Sequence, residues 1–424
     1  MEHTLTIKKV IAGGKGLGTL SDGMVAMVPA TLPGETVVAR ETKNRKGYRE
    51  MRLVRILEAS PDRVEPPCPY YGRCGGCDWQ HAAYPAQLEF KRLILRESLV
   101  RARLEPPPDH PALASPLAFG YRSRLRLHLD QSGRLGFHEQ ASNTVVEINR
   151  CLLAAEPINQ VLAALIEGGW PARLAAEIAT IELIHSPADA TVAVVLTPRP
   201  SQRPRHAPQL IDQLHPLAEA VILASIHPTP ARAIFHQDFT AHGQGYHLSW
   251  DHRCFFQVNS LQNAQLVATV LDLLPWPAQA TALDLYCGMG NFSIPLALAG
   301  PEVIGVEQNR GSIHWARINS RAAGLTSTRF VADEVERQLR ALVDAGARFD
   351  TILLDPPRQG AGKAAPLLPL LLPANILSIS CDPATLARDL AQIVAQGYTI
   401  TRLIPVDMFP QTHHIESIAL LERI

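Results

Sequence analysis

Residues 282–292 read ALDLYCGMGNF. An apolar run ends at Tyr286, glycines follow at 288 and 290, and a helix-forming segment starts just beyond Phe292. Strand, glycine turn and helix in that order make the first unit of an open parallel sheet. Comparable runs follow at VIGVE (303–307), TRFV (328–331), TILLD (351–355) and ILSIS (376–380), each separated from the next by a helix-length segment. The pattern predicts a Rossmann-like α/β domain from about Cys254 onward, with a ligand crevice beyond the carboxyl ends of its strands. TITRLIPVDMF and ESIALLERI predict two more strands joined by a short turn, an antiparallel pair at the sheet edge.

The strand ends carry the chemistry. Tyr286, Glu307, Asp355 and Cys381 each sit where a strand stops, so all four face one crevice. Gly288 and Gly290 let the backbone approach a ligand. The third glycine of the dinucleotide fingerprint is missing, which argues against a nicotinamide cofactor. Glu307, 23 residues after Asp284, is placed to accept the hydroxyls of a ribose. In DPPRQG (355–360) two prolines stiffen the lip of the crevice. Arg358 stands where look-alike enzymes that methylate exocyclic amines have an aromatic residue, which disfavours that reaction.

Cys381 lies in SISCDPATLARDL, and by itself reads equally as a packing residue or a nucleophile. Glu416, in FPQTHHIES (409–417), is the candidate base, with His413 and His414 beside it. Taken singly, these three are more often caps, ion-paired residues or turn residues. Together they fit the methylation of uridine carbon 5. A thiolate adds to carbon 6, carbon 5 gains enolate character and attacks an electrophilic methyl, and a base removes the carbon 5 proton so that the thiol is eliminated. Cys287 reads as packing under the cofactor, and Cys254 has no distinctive setting.

A chain of 424 residues is long enough for two or three domains. Forty Lys and Arg balance forty Asp and Glu, so any footprint for nucleic acid must be local. Residues 1–60 hold ten Lys and Arg against six Asp and Glu, and basic runs follow at Lys91–Arg103 and Tyr121–Leu129. Such runs suit a solvated face as well as an RNA contact. Residues 1–60 alternate apolar and polar between glycine turns, as a small barrel does, and the proline-rich SPDRVEPP ends them. Residues 68–253 read as α+β, with a helix near Gln87–Arg103 and a hairpin at Asp130–Arg134. Within them CPYYGRCGGCDWQ supplies Cys68, Cys74 and Cys77, and INRCLL a possible fourth thiol, Cys151. Spacing alone fits zinc or an iron–sulfur cluster equally. Tyr70, Tyr71 and Trp79 nearby suit either base stacking or shielding of the thiols. Seven unevenly spaced cysteines argue for thiol or metal chemistry over a disulfide framework. No run approaches the roughly 18–20 apolar residues of a membrane span, and MEHTLTIKKV lacks a signal-peptide core. A soluble, cytoplasmic protein is expected.

DLYCGMGNFS, LLDPPRQG, SISCDPATLARDL and DMFPQTHHIES resemble the motifs of the S-adenosylmethionine-dependent RNA uracil-5-methyltransferase family, over nearly all of residues 254–424. The resemblance implies Cys381 as nucleophile and Glu416 as proton acceptor. It also implies an S-adenosylmethionine site lined by Gln257, Tyr286, Asn291, Glu307, Glu334 and Asp355, with Asp333 competing with Glu334 one register step away. It further implies a structural 4Fe-4S cluster on Cys68, Cys74, Cys77 and Cys151. Residues 1–60 are similar to a TRAM domain, an OB-like barrel of RNA-modifying enzymes. Bacterial members that act on transfer RNA mostly lack barrel and cluster, so both together imply the 23S ribosomal RNA branch. The expected architecture is multidomain α/β. A TRAM barrel spans 1–60 and an iron–sulfur domain 61–253, with part of 86–115 against the catalytic unit. The methyltransferase domain spans 254–424, and the protein acts as a monomer away from membranes. The alternatives are the same chemistry on transfer RNA or on several ribosomal sites, and a non-catalytic iron–sulfur RNA-binding protein.

Overall fold

In the computed structural model, residues 1–200, 207–224, 233–241 and 243–424 are described. The first five strands, β1 (Glu2–Val10), β2 (Gly16–Thr19), β3 (Val25–Val28), β4 (Thr36–Arg45) and β5 (Tyr48–Glu58), close a barrel in the order β1-β2-β3-β5-β4. Alternation in EHTLTIKKV turns Leu5, Ile7 and Val10 inward and its charged residues outward. The barrel core is small, built from Leu5 and Ile7 with residues such as Val28, Val37 and Met51, whereas Val10 packs with Trp79 and Phe90.

Helix α1 (Tyr84–Arg101) follows. The middle of the chain then forms β6 (Arg124–Leu129), β7 (Leu135–His138), β8 (Val145–Glu147), β9 (Ile178–Ser186), β10 (Thr191–Pro198) and β11 (Ala220–Leu223). They make a six-stranded sheet, β11-β10-β9-β6-β7-β8, with α2 (Glu156–Glu167) packed on β9 and β10. The predicted hairpin is present between β6 and β7. Asp130 accepts hydrogen bonds from the backbone of Ser132 and Arg134, and Gly133 supplies the φ of +85° the turn needs. The short helices α3 (Trp170–Leu174) and α4 (Ala207–Leu214) complete this region.

A hairpin of β12 (Ile234–Ala241) and β13 (Gln244–Asp251) and helix α5 (Ser260–Asp272) lead into the large sheet. Its elements alternate: β14 (Thr281–Leu285), α6 (Ser293–Ala299), β15 (Glu302–Glu307), α7 (Arg310–Ala322), β16 (Thr328–Ala332), α8 (Val335–Asp344), β17 (Thr351–Leu354), a 3₁₀ stretch (Gly362–Leu371), β18 (Asn375–Ser380), α9 (Pro383–Val394), β19 (Tyr398–Val406) and β20 (Glu416–Arg423). Sheet order is β16-β15-β14-β17-β18-β20-β19, parallel from β16 to β18, with β20 antiparallel to both its neighbours. The antiparallel pair was expected, but two features differ. Strand β20 inserts between β18 and β19, and a long segment, 407–415, joins the pair in place of a short turn.

Both faces of the sheet are covered, which is why its parallel strands read as continuous apolar runs. One face buries Leu353, Leu377 and Ile379 against a core that takes in Phe235, Tyr246 and Trp250 of the β12–β13 hairpin. The other buries Leu354 and Ile376 with Leu386 and Leu390 of α9, and with Leu95 and Leu99 of α1. Among the described residues, no helix is long and apolar enough to cross a membrane.

Candidate active site

The Asp382-Pro383 step stops β18 and starts α9. Asp382 accepts from the backbone N–H of Ala384 and Thr385, and Pro383 occupies the first turn, where no donor is missed. Cys381 is thereby held between a strand end and a helix cap, half-buried. Ser380 pairs with Ser417 across the ladder, and the Ser417 hydroxyl donates to the Ser380 carbonyl at 3.1 Å. One step beyond that pair, the antiparallel register sets Glu416 against Cys381. Burial pushes the Cys381 thiol up to about 11, the carboxyls of Glu416 and Asp355 push the same way, and the Arg358 guanidinium opposes them. Glu416 is only 3% exposed. Burial, then the charge of Asp355, holds its carboxyl well above the usual range. Asp355, at the end of β17, is raised by burial to about 7. A thiol, two raised carboxyls and one guanidinium thus share one crevice.

His414, the second candidate base, stands beside Arg358, whose Nη2 donates to its Nδ1 at 2.9 Å. Burial, then the positive fields of His413 and Arg358, lowers His414 to about 4. It is a neutral imidazole with its acceptor nitrogen engaged, and so a poor proton acceptor beside Glu416.

Of the expected cofactor residues, Tyr286 and Asn291 follow β14, Glu307 ends β15, Glu334 follows β16 and Asp355 follows β17, whereas Gln257 lies outside the sheet. Tyr286 leaves β14 at φ +62°, a conformation that costs a non-glycine residue energy and collects at functional sites. Gly290 has φ +96°, and a side chain there would meet Ile294 at 2.9 Å. Asp284, fully buried and raised to about 7 chiefly by burial, binds the Ser293 hydroxyl and leaves its Oδ1 without a partner. Glu307 accepts from the Asn309 backbone at 2.7 Å. Burial, with the charges of Asp389, Glu336, Glu307 and Glu334, pushes the Tyr286 phenol up to about 12. Asp333 is engaged by Arg337 and by the Glu334 N–H, whereas the exposed Glu334 makes no capping bond. Asn291 and Asn263 exchange amide hydrogen bonds at 2.8 and 3.1 Å, joining the glycine turn to α5. Gln257 is buried between β13 and α5, next to Val258, whose carbonyl accepts from Ser123 N at 2.8 Å. Cys287 is buried against β15, where a side chain at Gly305 would come within 2.9 Å of its sulfur, and Cys254 is buried in the core.

The segment before Glu416 is held from outside the sheet, which sequence reasoning missed. The Met408 carbonyl accepts from Asn259, that of Phe409 from Lys91, that of Pro410 from Tyr121, and that of Gln411 from the backbone of Asp78 and Trp79. Lys91, read from sequence as part of a basic run, is fully buried and ion-paired with Asp407 at 2.5 Å. Removing one partner from such a buried pair costs about 3–5 kcal/mol. Nothing local marks Lys91, because its partner lies 316 residues away.

Cys68, Cys74, Cys77 and Cys151 are all free thiols and half-buried. Burial raises Cys74, Cys77 and Cys151, and the other sulfurs of the group add to the shift, so the four lie within one another's fields. Free thiols in such a group are the donor type that an iron–sulfur cluster or zinc takes. Among the described residues, no group of three or more His, Cys, Asp or Glu side chains stands arranged to hold a metal ion as it is. The aromatic residues nearby are engaged in structure. Trp79 is fully buried with its Nε1 donating to the Gly14 carbonyl at 3.1 Å, Tyr71 donates to the Asp78 carbonyl, and Tyr70 to Asn149.

The fold and the crevice define an α/β methyltransferase with a thiol and a buried carboxyl opposed at its strand ends. A family model described as tRNA (Uracil-5-)-methyltransferase matches residues 83–424. The 23S rRNA (uracil(1939)-C(5))-methyltransferase RlmD of Shewanella amazonensis is 36% identical over 95% of this chain and 91% of its own. That of Pseudomonas putida is 33% identical over 99% and 94%. Among solved structures, the Pyrococcus abyssi tRNA (uracil-54, C5)-methyltransferase in complex with S-adenosyl-L-homocysteine superposes with a TM-score of 0.73, at 24% identity over 98% of this chain and 99% of that one. The chain belongs to the RNA uracil-5-methyltransferase family.

Proposed function

We propose that this protein methylates carbon 5 of a uridine in 23S ribosomal RNA, with Cys381 as nucleophile and Glu416 as base. The observation that carries the reading is the Ser380–Ser417 pair, which opposes thiol and carboxyl at one crevice. S-adenosylmethionine supplies a methyl group on a positively charged sulfur. The crevice suits that charge, because Asp284, Glu307, Glu334 and Asp355 gather there. Tyr286, Asn291 and Gln257 complete the set that would hold it. The acid at position 334 is favoured over Asp333, which Arg337 already occupies.

The thiol of Cys381 gives up its proton to solvent, Arg358 favours the thiolate, and the sulfur bonds to carbon 6 of the uracil. Carbon 5 would then take the methyl from the bound S-adenosylmethionine, the sulfonium carbon–sulfur bond breaking to leave a neutral thioether. Glu416 accepts the proton from carbon 5, the carbon 6–sulfur bond breaks, and the thiolate is restored. A carboxyl raised by burial is a stronger base than one in water, which suits abstraction from carbon. Every group required comes from one chain, so a monomer suffices.

The spacing of Cys68, Cys74, Cys77 and Cys151 and the family resemblance support a 4Fe-4S cluster on these thiols, which would brace the segment 68–79 and supply no group to the methyl transfer itself. The division into 1–60, 61–253 and 254–424 is proposed, with α1 and the β12–β13 hairpin attached to the last unit by their packing. The named relatives and the basic barrel support a ribosomal target in the cytoplasm. Phe255, 73% exposed beside Gln257, is free to stack on an unpaired base. The uracil must leave its stack to reach Cys381, so an accessible loop uridine is the expected substrate. The test compares unmodified 23S RNA, mature large subunits and unmodified transfer RNA as methyl acceptors at one salt concentration. Free 23S RNA should be the best acceptor. Transfer RNA as the best acceptor, with 23S RNA inert, would refute the target.

A further inference from the structure

We propose that Asp78, the residue after the last cysteine of the C-x5-C-x2-C segment, is a positioning residue for the base Glu416, acting through His413. The proposal rests on the uracil-methylation reading of the site.

The geometry is a clamp between chain segments 335 residues apart. The N–H groups of Asp78 and Trp79 both donate to the Gln411 carbonyl, at 3.0 and 3.1 Å. His413 Nδ1 lies 2.6 Å from Asp78 Oδ2, and the His413 N–H points to the same oxygen at 3.4 Å. A carboxylate only accepts, so the imidazole proton sits on Nδ1. Between these bonds the chain passes through Gln411 at φ +69°, a strained conformation for glutamine that its surroundings must enforce. The Gln87 side chain supplies part of that enforcement, accepting from Gln411 N and donating to Gln411 Oε1, at 2.9 and 3.0 Å.

Glu416 begins β20, so the ladder holds its C-terminal side. On its N-terminal side only His414 and Ile415 separate it from the His413 clamp. A general base must come within about 2.6–3.2 Å of the proton it takes, and a misplacement of about 1 Å costs roughly a hundredfold. With the ladder intact, loss of the clamp alone should cost less. Cys381 is positioned separately by β18 and the Asp382 cap. Loosening the Asp78–His413 bond should therefore slow proton removal and elimination while sparing thiol attack. A merely structural residue would not separate those two steps.

The experiment uses Asp78→Ala, Asp78→Asn, His413→Ala and the double variant Asp78→Ala/His413→Ala in the full chain. Attack is read as the rate of covalent adduct formation on RNA carrying 5-fluorouridine, which cannot eliminate because fluorine does not leave as a proton. Elimination is read on ordinary RNA as kcat and as the fraction of protein trapped as methylated adduct. Asp78→Ala and His413→Ala should each lower kcat about tenfold and raise the trapped adduct, with KM for RNA and adduct formation on the fluorinated RNA unchanged. Glu416→Gln sets the upper limit of that accumulation. Asp78→Asn, whose amide oxygen still accepts, should restore most of the rate. The double variant should be no slower than either single one, since both remove the same bond. No accumulation in His413→Ala, multiplying effects in the double variant, or an Asp78→Asn as slow as Asp78→Ala would each overturn the proposal. His413→Ala decides alone where Asp78→Ala fails to fold. A wild-type protein that forms no adduct on the fluorinated RNA would instead bring down the methylation reading itself.

Discussion

Cys381 and Cys77 are both half-buried, and burial raises both thiols, to about 11 and about 12. Their company differs. Around Cys381 stand two carboxyls and a guanidinium, groups that move a proton and steady an anion. Around Cys77 stand three more thiols, and their charges add to its shift after burial. A raised thiol is therefore not a functional statement by itself. Carboxyl and guanidinium neighbours suit the nucleophile proposed at position 381, and thiol neighbours suit the metal ligand proposed at position 77.

The widest separation between the two sites should come from Cys381→Ala. Methyl transfer should fall by at least about 10⁴-fold, the scale on which covalent catalysis is lost, and no adduct should form with 5-fluorouridine RNA. Binding of S-adenosylmethionine, followed by calorimetry, should stay near wild type. An adduct formed by this variant would move the nucleophile elsewhere and erase the contrast.

Cys74→Ser tests the other side. Anaerobically purified wild-type protein should be brown and carry about four irons per chain; the variant should be colourless, bind RNA more weakly and melt earlier. Methyl transfer at saturating RNA should fall no further than in Asp78→Ala, because the thiols reach the reaction only through the segment that carries Asp78. Zinc without iron in the wild-type preparation would overturn the cluster.

The smallest expected effect concerns the guanidinium. With the Cys381 thiol at about 11, adduct formation on 5-fluorouridine RNA should rise steadily above neutral pH. The sign follows from the thiolate fraction, which gains about tenfold per pH unit below the pKa. Arg358→Met removes the charge that opposes burial, so the rising limb should move to higher pH and the rate at pH 8 should drop a few-fold. An unchanged profile would remove Arg358 from the comparison.

How much could be read in advance differs between the same parts of the molecule. Strands β14 to β18 were legible because parallel strands buried on both faces are continuous apolar runs, and each polar residue that ends one lies at the crevice. Asp382-Pro383 was legible because cap and proline are local signals. The six-stranded sheet was not, since its strands fit many pairings and only the β6–β7 hairpin carries a local turn signature. ESIALLERI announced a strand, but nothing in it says that β20 pairs with β18 as well as with β19. Lys91 was misread for the same reason. Ion pairing with Asp407 is a property of the folded chain, although Lys91 shares the buried face of α1 with Gln87, Phe90, Ile94 and Leu95.

The position of β20 sets the order in which the molecule can come to life. Strand β19 is made before β20 yet ends up outside it, so β19 cannot settle directly onto β18 and must leave room for a later arrival. The barrel, the cysteine segment and α1 emerge first; at about 5–20 residues per second, His413 follows Asp78 by something on the order of 20–70 s. When β20 slots in, it brings Glu416 opposite Cys381 and draws the 407–415 segment into a cradle of donors already waiting. The opposition of Glu416 to Cys381 is thus the last feature of the crevice that a newly made chain acquires, and a half-made one carries the thiol without the carboxyl.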